Sequence, residues 1–218
     1  MFLSKVELLP KELLVQTSEV DHADWNYRLV LGKIQRVRFQ LIKSLLRHAS
    51  GNDLLEVGYG SGVFFPELLK TCKNIAGIDP HPMTAEVTES IAKADISADL
   101  RSGSVTDMPF ADDSFDVVVA ISALEYVDDI DTACREIIRV MRPGGIVALV
   151  TPGKSPILDL GLKVLARDDA DSNYGDRREK LIAALERHFE VSETRRWPWP
   201  GIPWLTAYRA LRLVAKPS

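Results

Sequence analysis

The stretch Asp53-Leu54-Leu55-Glu56-Val57-Gly58-Tyr59-Gly60-Ser61-Gly62 decides the fold. Apolar residues lead straight into three glycines at alternate positions, and a helical pattern follows. Such a run is a buried strand ending in a sharp turn. Glycine has no Cβ, so the chain can bend tightly and its backbone can approach a ligand. A helix opening near Ser61 would aim unpaired N–H groups and a partial positive charge at that ligand. The turn is therefore expected to hold the charged end of a bound molecule.

Working outward, the pattern repeats. Residues 74–78 form a second apolar run ending at Asp79, 99–103 a weak third, 115–121 a strong fourth and 146–150 a fifth. Helical spacing fills 63–69, 82–92 and 130–141, the last expected to stop at Pro143-Gly144-Gly145. Apolar strands alternating with helices imply a parallel sheet covered on both faces and wound right-handedly. The fold class is thus α/β, a doubly wound, Rossmann-like three-layer sandwich. Its ligand belongs beyond the carboxyl ends of the strands. Later in the chain, 177–188 reads as a helix, and 189–195 and 207–215 as an antiparallel pair at the sheet edge. A short helix is expected at 157–165. Before the glycine turn, residues 20–48 carry one or two amphipathic helices, broken near Gly32. They bear Lys33, Arg36, Arg38, Lys43 and Arg47, which read as a solvated face. The division that follows is a helical extension over 1–50 and a ligand-binding domain over 51–218.

Composition narrows the classes. The 218 residues carry a net charge of −4, with 46% hydrophobic and 27% charged residues, as in an ordinary globular protein. No excess of positive charge favours nucleic acid or an anionic membrane as the main partner. Cys72 and Cys134 are too far apart in sequence for a metal cluster and too few for a disulfide framework. His22, His48, His81 and His188 show no metal-ligand spacing. No apolar run reaches the roughly 18 residues of a membrane span. Charges follow Met1 too soon for a signal peptide, so the cytoplasm is the expected location.

Three acidic positions carry the chemistry. A nicotinamide dinucleotide site wants Gly-x-Gly-x-x-Gly, but Val63 stands at the third glycine position here. Glu56, two residues before Gly58, suits an ammonium group better than a pyrophosphate. Asp79 ends the second strand, where an acid accepts the hydroxyls of a ribose. Asp107, in Gly103-Ser104-Val105-Thr106-Asp107-Met108-Pro109-Phe110, can accept from an exocyclic amine such as that of adenine. Each has a blander reading alone: a tight connection, a helix N-cap at Asp79, a turn residue before Pro109. Together they describe a nucleoside joined to a charged amino acid.

Residues 54–62, 75–80, 103–110, 115–127 and 135–150 resemble, in order and spacing, the motifs of class I S-adenosylmethionine-dependent methyltransferases. The resemblance is nearest to the small-molecule branch that includes ubiquinone and menaquinone biosynthesis methyltransferases. It implies a seven-stranded, mostly parallel sheet with a C-terminal antiparallel hairpin, and S-adenosylmethionine as cofactor. It also implies site roles. Gly58 and Gly60 line the methionine moiety, within a turn that includes Tyr59 and Gly62, and Glu56 supports the turn. Asp79 holds the ribose and Pro80 packs near the adenine. Thr106, Asp107 and Met108 address the adenine edge, and Ala120, Ile121 and Ser122 border the sulfonium. Many relatives have Leu-Glu-His after the fourth strand, whereas this chain has Leu124-Glu125-Tyr126. Tyr126 and His81 lead the candidates for an activating group, with Glu125 and His22 behind them.

Substrate choice is expected outside the matched core. The segments concerned are Trp25-Asn26-Tyr27-Arg28, 153–174, and the Trp/Pro-rich 197–204. An apolar wall of tryptophans facing the cleft implies an apolar or aromatic acceptor; the same residues also suit a small satellite core. Two other classes stay open: a nicotinamide oxidoreductase on a related sheet, and a non-catalytic nucleoside-binding module. A peripheral lipid contact also stays open.

Overall fold

The computed structural model describes residues 5–18, 23–29, 31–49, 51–153, 174–198 and 206–216. Seven strands form one sheet: β1 (Asp53–Val57), β2 (Asn74–Asp79), β3 (Asp99–Ser102), β4 (Phe115–Ile121), β5 (Met141–Pro152), β6 (Phe189–Trp197) and β7 (Tyr208–Ala215). Their order is β3-β2-β1-β4-β5-β7-β6. The first five are parallel; β7 runs antiparallel between β5 and β6. The expected α/β class and edge hairpin are both present.

Alternation along the strands splits the core into two layers. Leu54, Val117, Val119 and Ala148 face one side, where α1 (Leu31–Leu45), α2 (Phe65–Leu68) and α3 (Thr84–Ala92) pack through residues such as Ile42, Phe65 and Ile91. Leu55, Val118, Val147 and Leu211 face the other side, under Ile137 of α4 (Ile130–Val140) and Leu185 of α5 (Tyr174–His188). Many of these strand side chains are wholly buried, as a two-sided parallel sheet demands.

Three elements differ from expectation. The helix read at 63–69 is only α2, Phe65–Leu68, preceded by turns closed by Gly62 N–H to the Tyr59 carbonyl (2.8 Å) and Phe65 N–H to the Gly62 carbonyl (3.1 Å). A single helical turn gathers little dipole, so the N-terminal charge expected at Ser61 is weak. The Pro-Gly-Gly sequence does not separate α4 from β5. Extended backbone begins at Met141, and residues 142–145 bulge out between the pairs Phe115–Met141 and Val117–Ile146. Gly144, at φ +80°, makes that excursion possible. Before α1, residues 23–27 form a tight 3-10 turn, and Gly32 lies in the first turn of α1 rather than at a break. The helix expected at 157–165, most of 153–174, His22, and Trp199 and Trp204 lie outside the described residues. Among the described residues no helix is long and apolar enough to cross a membrane.

Candidate functional site

The parallel register brings the expected residues to one rim. Val57 pairs with Ile78 and with Ala120, Asp79 with Ser102, and Ile121 with Val150. Residues leaving these strand ends therefore meet at the carboxyl edge: the glycine turn, Asp79, the Gly103–Phe110 loop, and Ser122.

All three glycines of the turn have positive φ: +75° at Gly58, +50° at Gly60 and +69° at Gly62. Their surroundings differ. A Cβ at Gly58 would lie 2.5 Å from the Ala123 Cβ, and one at Gly62 would lie 2.7 Å from the Phe65 ring. At Gly60 the nearest atom is the Thr17 hydroxyl, 3.9 Å away, so this glycine faces open space. The glycine N–H groups are not left for a ligand. Gly58 donates to the Ile78 carbonyl, Gly62 to the Tyr59 carbonyl, and Gly60 to Asp79 Oδ2 at 2.9 Å. The turn offers room rather than backbone donors.

Asp79 is thus tied to the turn. Its second oxygen accepts the His81 N–H at 3.2 Å. His81 is a strut. The Met83 N–H donates to its Nδ1 at 3.1 Å, so the ring proton sits on Nε2, which donates to the Gly60 carbonyl at 3.1 Å. Both ring nitrogens are engaged in holding the turn. Tyr59 turns away from the rim. It stacks edge-on with His81, hydrogen-bonds Thr84 Oγ1 at 3.1 Å and packs over Gly77, so its side chain is part of the core. Pro80 is exposed beside this turn.

Glu56 lies 4% exposed on the α1 face of the sheet, and among the described residues its Oε2 has no hydrogen-bond partner. Burial, then the Asp79 charge, push its pKa up to about 8 against the pull of Arg38. It is therefore mostly protonated at neutral pH. Nearby Ser61 Oγ and Ser122 Oγ are also buried without partners among the described residues. Buried polar atoms of this kind are rare in native proteins and ask for a ligand or water.

The loop after β3 is braced from α4. Arg139 donates to Glu136 Oε1 (2.7 Å), to the Phe110 and Met108 carbonyls (2.8 and 3.0 Å) and to Asp112 (2.7 Å). Glu136 Oε2 accepts the Met108 N–H at 2.9 Å. Met108 is buried, Asp107 is exposed, and Thr106 closes a local turn with Ser104.

After β4, Ala120 and Ile121 are buried and Ser122 adopts φ +53°, a strained turn for a residue with a Cβ. The 3-10 turn Leu124–Tyr126 then points Glu125 inward and Tyr126 outward, at 3% and 53% exposure. Burial raises the Glu125 pKa to about 7, opposed by its own backbone N–H, Arg178 and Arg38. Arg38 of α1 thus acts on Glu56, Glu125 and also Tyr208, and its Nε is buried without an acceptor among the described residues. In sequence it looked like one of five basic residues on a wet helix face. Its heptad-like position beside the buried Val37 and Phe39 was the available signal.

Residues 55–149 match the family model described as a methyltransferase domain. A ubiquinone biosynthesis O-methyltransferase of Azorhizobium caulinodans is 31% identical over 107 residues, which cover 49% of this chain and 42% of that protein. A probable S-adenosylmethionine-dependent methyltransferase of Mycolicibacterium smegmatis is 31% identical over 162 residues, covering 72% of this chain and 60% of that one. The chain therefore spans only part of the curated relatives it matches. Among solved structures, the N-methyltransferase NodS of Bradyrhizobium japonicum, in complex with S-adenosyl-L-homocysteine, superposes with a TM-score of 0.63 at 17% identity, covering 89% of this chain and 92% of that one. The [4+2]-cyclase SpnF superposes with a TM-score of 0.62 at 18% identity, covering 82% and 79%. At such identities the likeness is one of fold, and the cyclase shows that this fold does not by itself dictate the reaction. Motif order, sheet order and the matched model agree: residues 55–149 carry a methyltransferase domain, on a fold shared with S-adenosylmethionine-dependent methyltransferases.

Proposed function

We propose that the protein transfers a methyl group from S-adenosylmethionine to an O, N or C atom of a small acceptor. One observation carries the reading. Ser61 Oγ, Ser122 Oγ, Glu56 Oε2 and Arg38 Nε are buried and unpartnered among the described residues, and Gly60, of the three glycines in the turn, has open space around it. A ligand with an ammonium, a carboxylate and a nucleoside matches that set. Glu56 would face the ammonium, Arg38 the carboxylate, Asp79 the ribose hydroxyls, and the braced loop at Asp107 and Met108 the adenine edge. A pyrophosphate would meet two acids instead, which argues against a nicotinamide cofactor.

When bound, the cofactor supplies a methyl group already activated on a sulfonium. The protein's task is then mainly alignment, worth up to about 7–11 kcal/mol of a barrier. An acceptor that carries a proton also needs a base. Burial and ionisation near neutrality favour Glu125 for that role over the exposed Tyr126.

Calorimetry on the full chain tests the reading. S-adenosylhomocysteine is expected to bind and NAD not to bind. Asp79→Ala should weaken the former roughly tenfold or more, the loss of a hydrogen bond to a charged acceptor plus loosening of Gly60. Label transferred from S-adenosylmethionine into acceptor pools then identifies the substrate. Binding of NAD in place of S-adenosylhomocysteine would overturn the proposal.

A further inference from the structure

Residues 5–17 lie ahead of the matched domain and run as a strap across α2 and α3. Three hydrogen bonds pin the strap to the elements that follow the glycine turn. The Glu7 N–H donates to Glu67 Oε2 of α2 at 2.7 Å, and the Leu9 N–H donates to the Val63 carbonyl at 2.9 Å. Ser90 Oγ of α3 donates to the Leu13 carbonyl at 2.5 Å. Apolar burial fixes the same stretch. Leu9 is wholly buried, and Leu13, Leu14 and Val15 pack on the core cluster that holds Phe65 and Ile91. The Tyr27 hydroxyl donates to the Leu9 carbonyl and ties the strap to the turn before α1.

Beyond Leu13 the strap reaches the glycine turn. Gly60 is locked on both sides of its Cα: its N–H donates to Asp79 Oδ2 at 2.9 Å, and its carbonyl accepts from His81 Nε2 at 3.1 Å. The face of its Cα stays open, and the nearest atom over that face is Thr17 Oγ1, 3.9 Å from where a Cβ would stand. Heavy atoms in van der Waals contact sit about 3.5–4.0 Å apart. The gap between Gly60 and Thr17 is therefore a slot one heavy atom deep, with bare backbone as one wall and a hydroxyl as the other. A slot of that depth takes an unbranched chain or the edge of a sugar ring and excludes a branched group. Thr17 has a further interaction in the protein. A hydroxyl offers one donor and two acceptor positions, so it can bond a ligand in the slot as well.

We propose that Thr17 is a cofactor-binding residue, and that the strap from Leu13 to Thr17 is the outer wall of the cofactor slot. The inference rests on the methyl-transfer reading and deepens it. The wall comes from this chain's own N-terminal segment and not from the matched domain. Thr17 hydrogen-bonds the cofactor across Gly60, and the bond from Ser90 to the Leu13 carbonyl holds the strap in place from α3.

The test is calorimetry on the full chain with S-adenosylhomocysteine and, separately, with methylthioadenosine, which keeps the nucleoside and lacks the amino-acid end. Thr17→Val keeps the shape of the side chain and removes the hydroxyl. It should weaken S-adenosylhomocysteine roughly fivefold to tenfold, the loss of one hydrogen bond. Thr17→Ser, which restores the hydroxyl, should bind as the wild type does. A loss for S-adenosylhomocysteine alone places the hydroxyl at the amino-acid end of the cofactor, and a loss for both ligands places it at the ribose. Ser90→Ala frees the Leu13 carbonyl and should speed the release of S-adenosylhomocysteine several-fold. Amide exchange in the wild type reads the same wall without a substitution: the ligand should slow exchange over residues 14–18. Undiminished affinity for both ligands in Thr17→Val, or exchange over 14–18 that ignores the ligand, overturns the wall and leaves methyl transfer standing. A wild-type chain that holds neither ligand removes both.

Discussion

Gly58, Gly60 and Gly62 share a left-handed backbone but answer to different neighbours, and substitution separates them. Alanine at Gly60 meets nothing closer than the Thr17 hydroxyl at 3.9 Å. It pays only for its φ, about 1–2 kcal/mol. In a domain of this size that is a loss of roughly 2–8 °C in Tm. The new methyl group would occupy the open space assigned to the cofactor, so Gly60→Ala should fold and lose at least about tenfold in affinity for S-adenosylhomocysteine. Gly58→Ala adds a 2.5 Å overlap with the Ala123 Cβ and should lower Tm further. Equal affinity in Gly60→Ala and wild type, measured by calorimetry, would remove the assignment of that space. The sequence marked the three glycines as one motif because spacing is all it displays. What distinguishes them, Ala123 and Phe65, arrives from other elements.

Among the elements, those with apolar runs were the most legible. Residues 54–57 and 115–121 sit in the middle of the sheet, where burial on both faces favours Leu, Val, Ile and Ala, with Glu56 the buried exception. Elements that depend on a partner were not. Nothing in the order of residues says that α2 is a single turn, or that Pro143-Gly144-Gly145 bulges within β5. The brace from α4 was equally hidden, since Arg139 reads as a helix-surface cation until Met108, Phe110 and Asp112 come beneath it. Arg139→Met keeps the length of the stem and removes five donor contacts to Glu136 and the loop. The loss of charge-assisted bonds at a partly buried site costs about 1.5–3 kcal/mol. Because two of those bonds hold the Met108 and Phe110 carbonyls, S-adenosylhomocysteine affinity should fall with stability. A variant with lowered Tm and unchanged affinity would show that the loop does not address the cofactor.

For the molecule as a whole, the buried acids set how stability follows pH. Glu56 and Glu125 hold protons in the folded chain up to about pH 8 and 7, whereas in the unfolded chain they release them near their ordinary value of 4.5. Between those limits the folded state binds more protons, so its stability falls as pH rises, by up to about 1.4 kcal/mol per pH unit for each group. Paired carboxylates such as Glu136 and Asp53, with lowered pKa values, act oppositely, but only at more acid pH. The protein without ligand should therefore be most stable near pH 5 and lose Tm steadily towards pH 8. Glu56→Gln, which mimics the protonated acid, should flatten the upper part of that slope. A ligand ammonium facing Glu56 favours its ionised form, so S-adenosylhomocysteine should bind more tightly as pH rises from 6 to 8, by up to about tenfold per unit, and release a proton. Calorimetry in two buffers of different ionisation enthalpy counts that proton. The Glu56→Gln variant should bind with little pH dependence across the same range. A wild-type affinity that stays constant from pH 6 to 8, with no proton released, would mean that Glu56 does not face the charged end of the ligand.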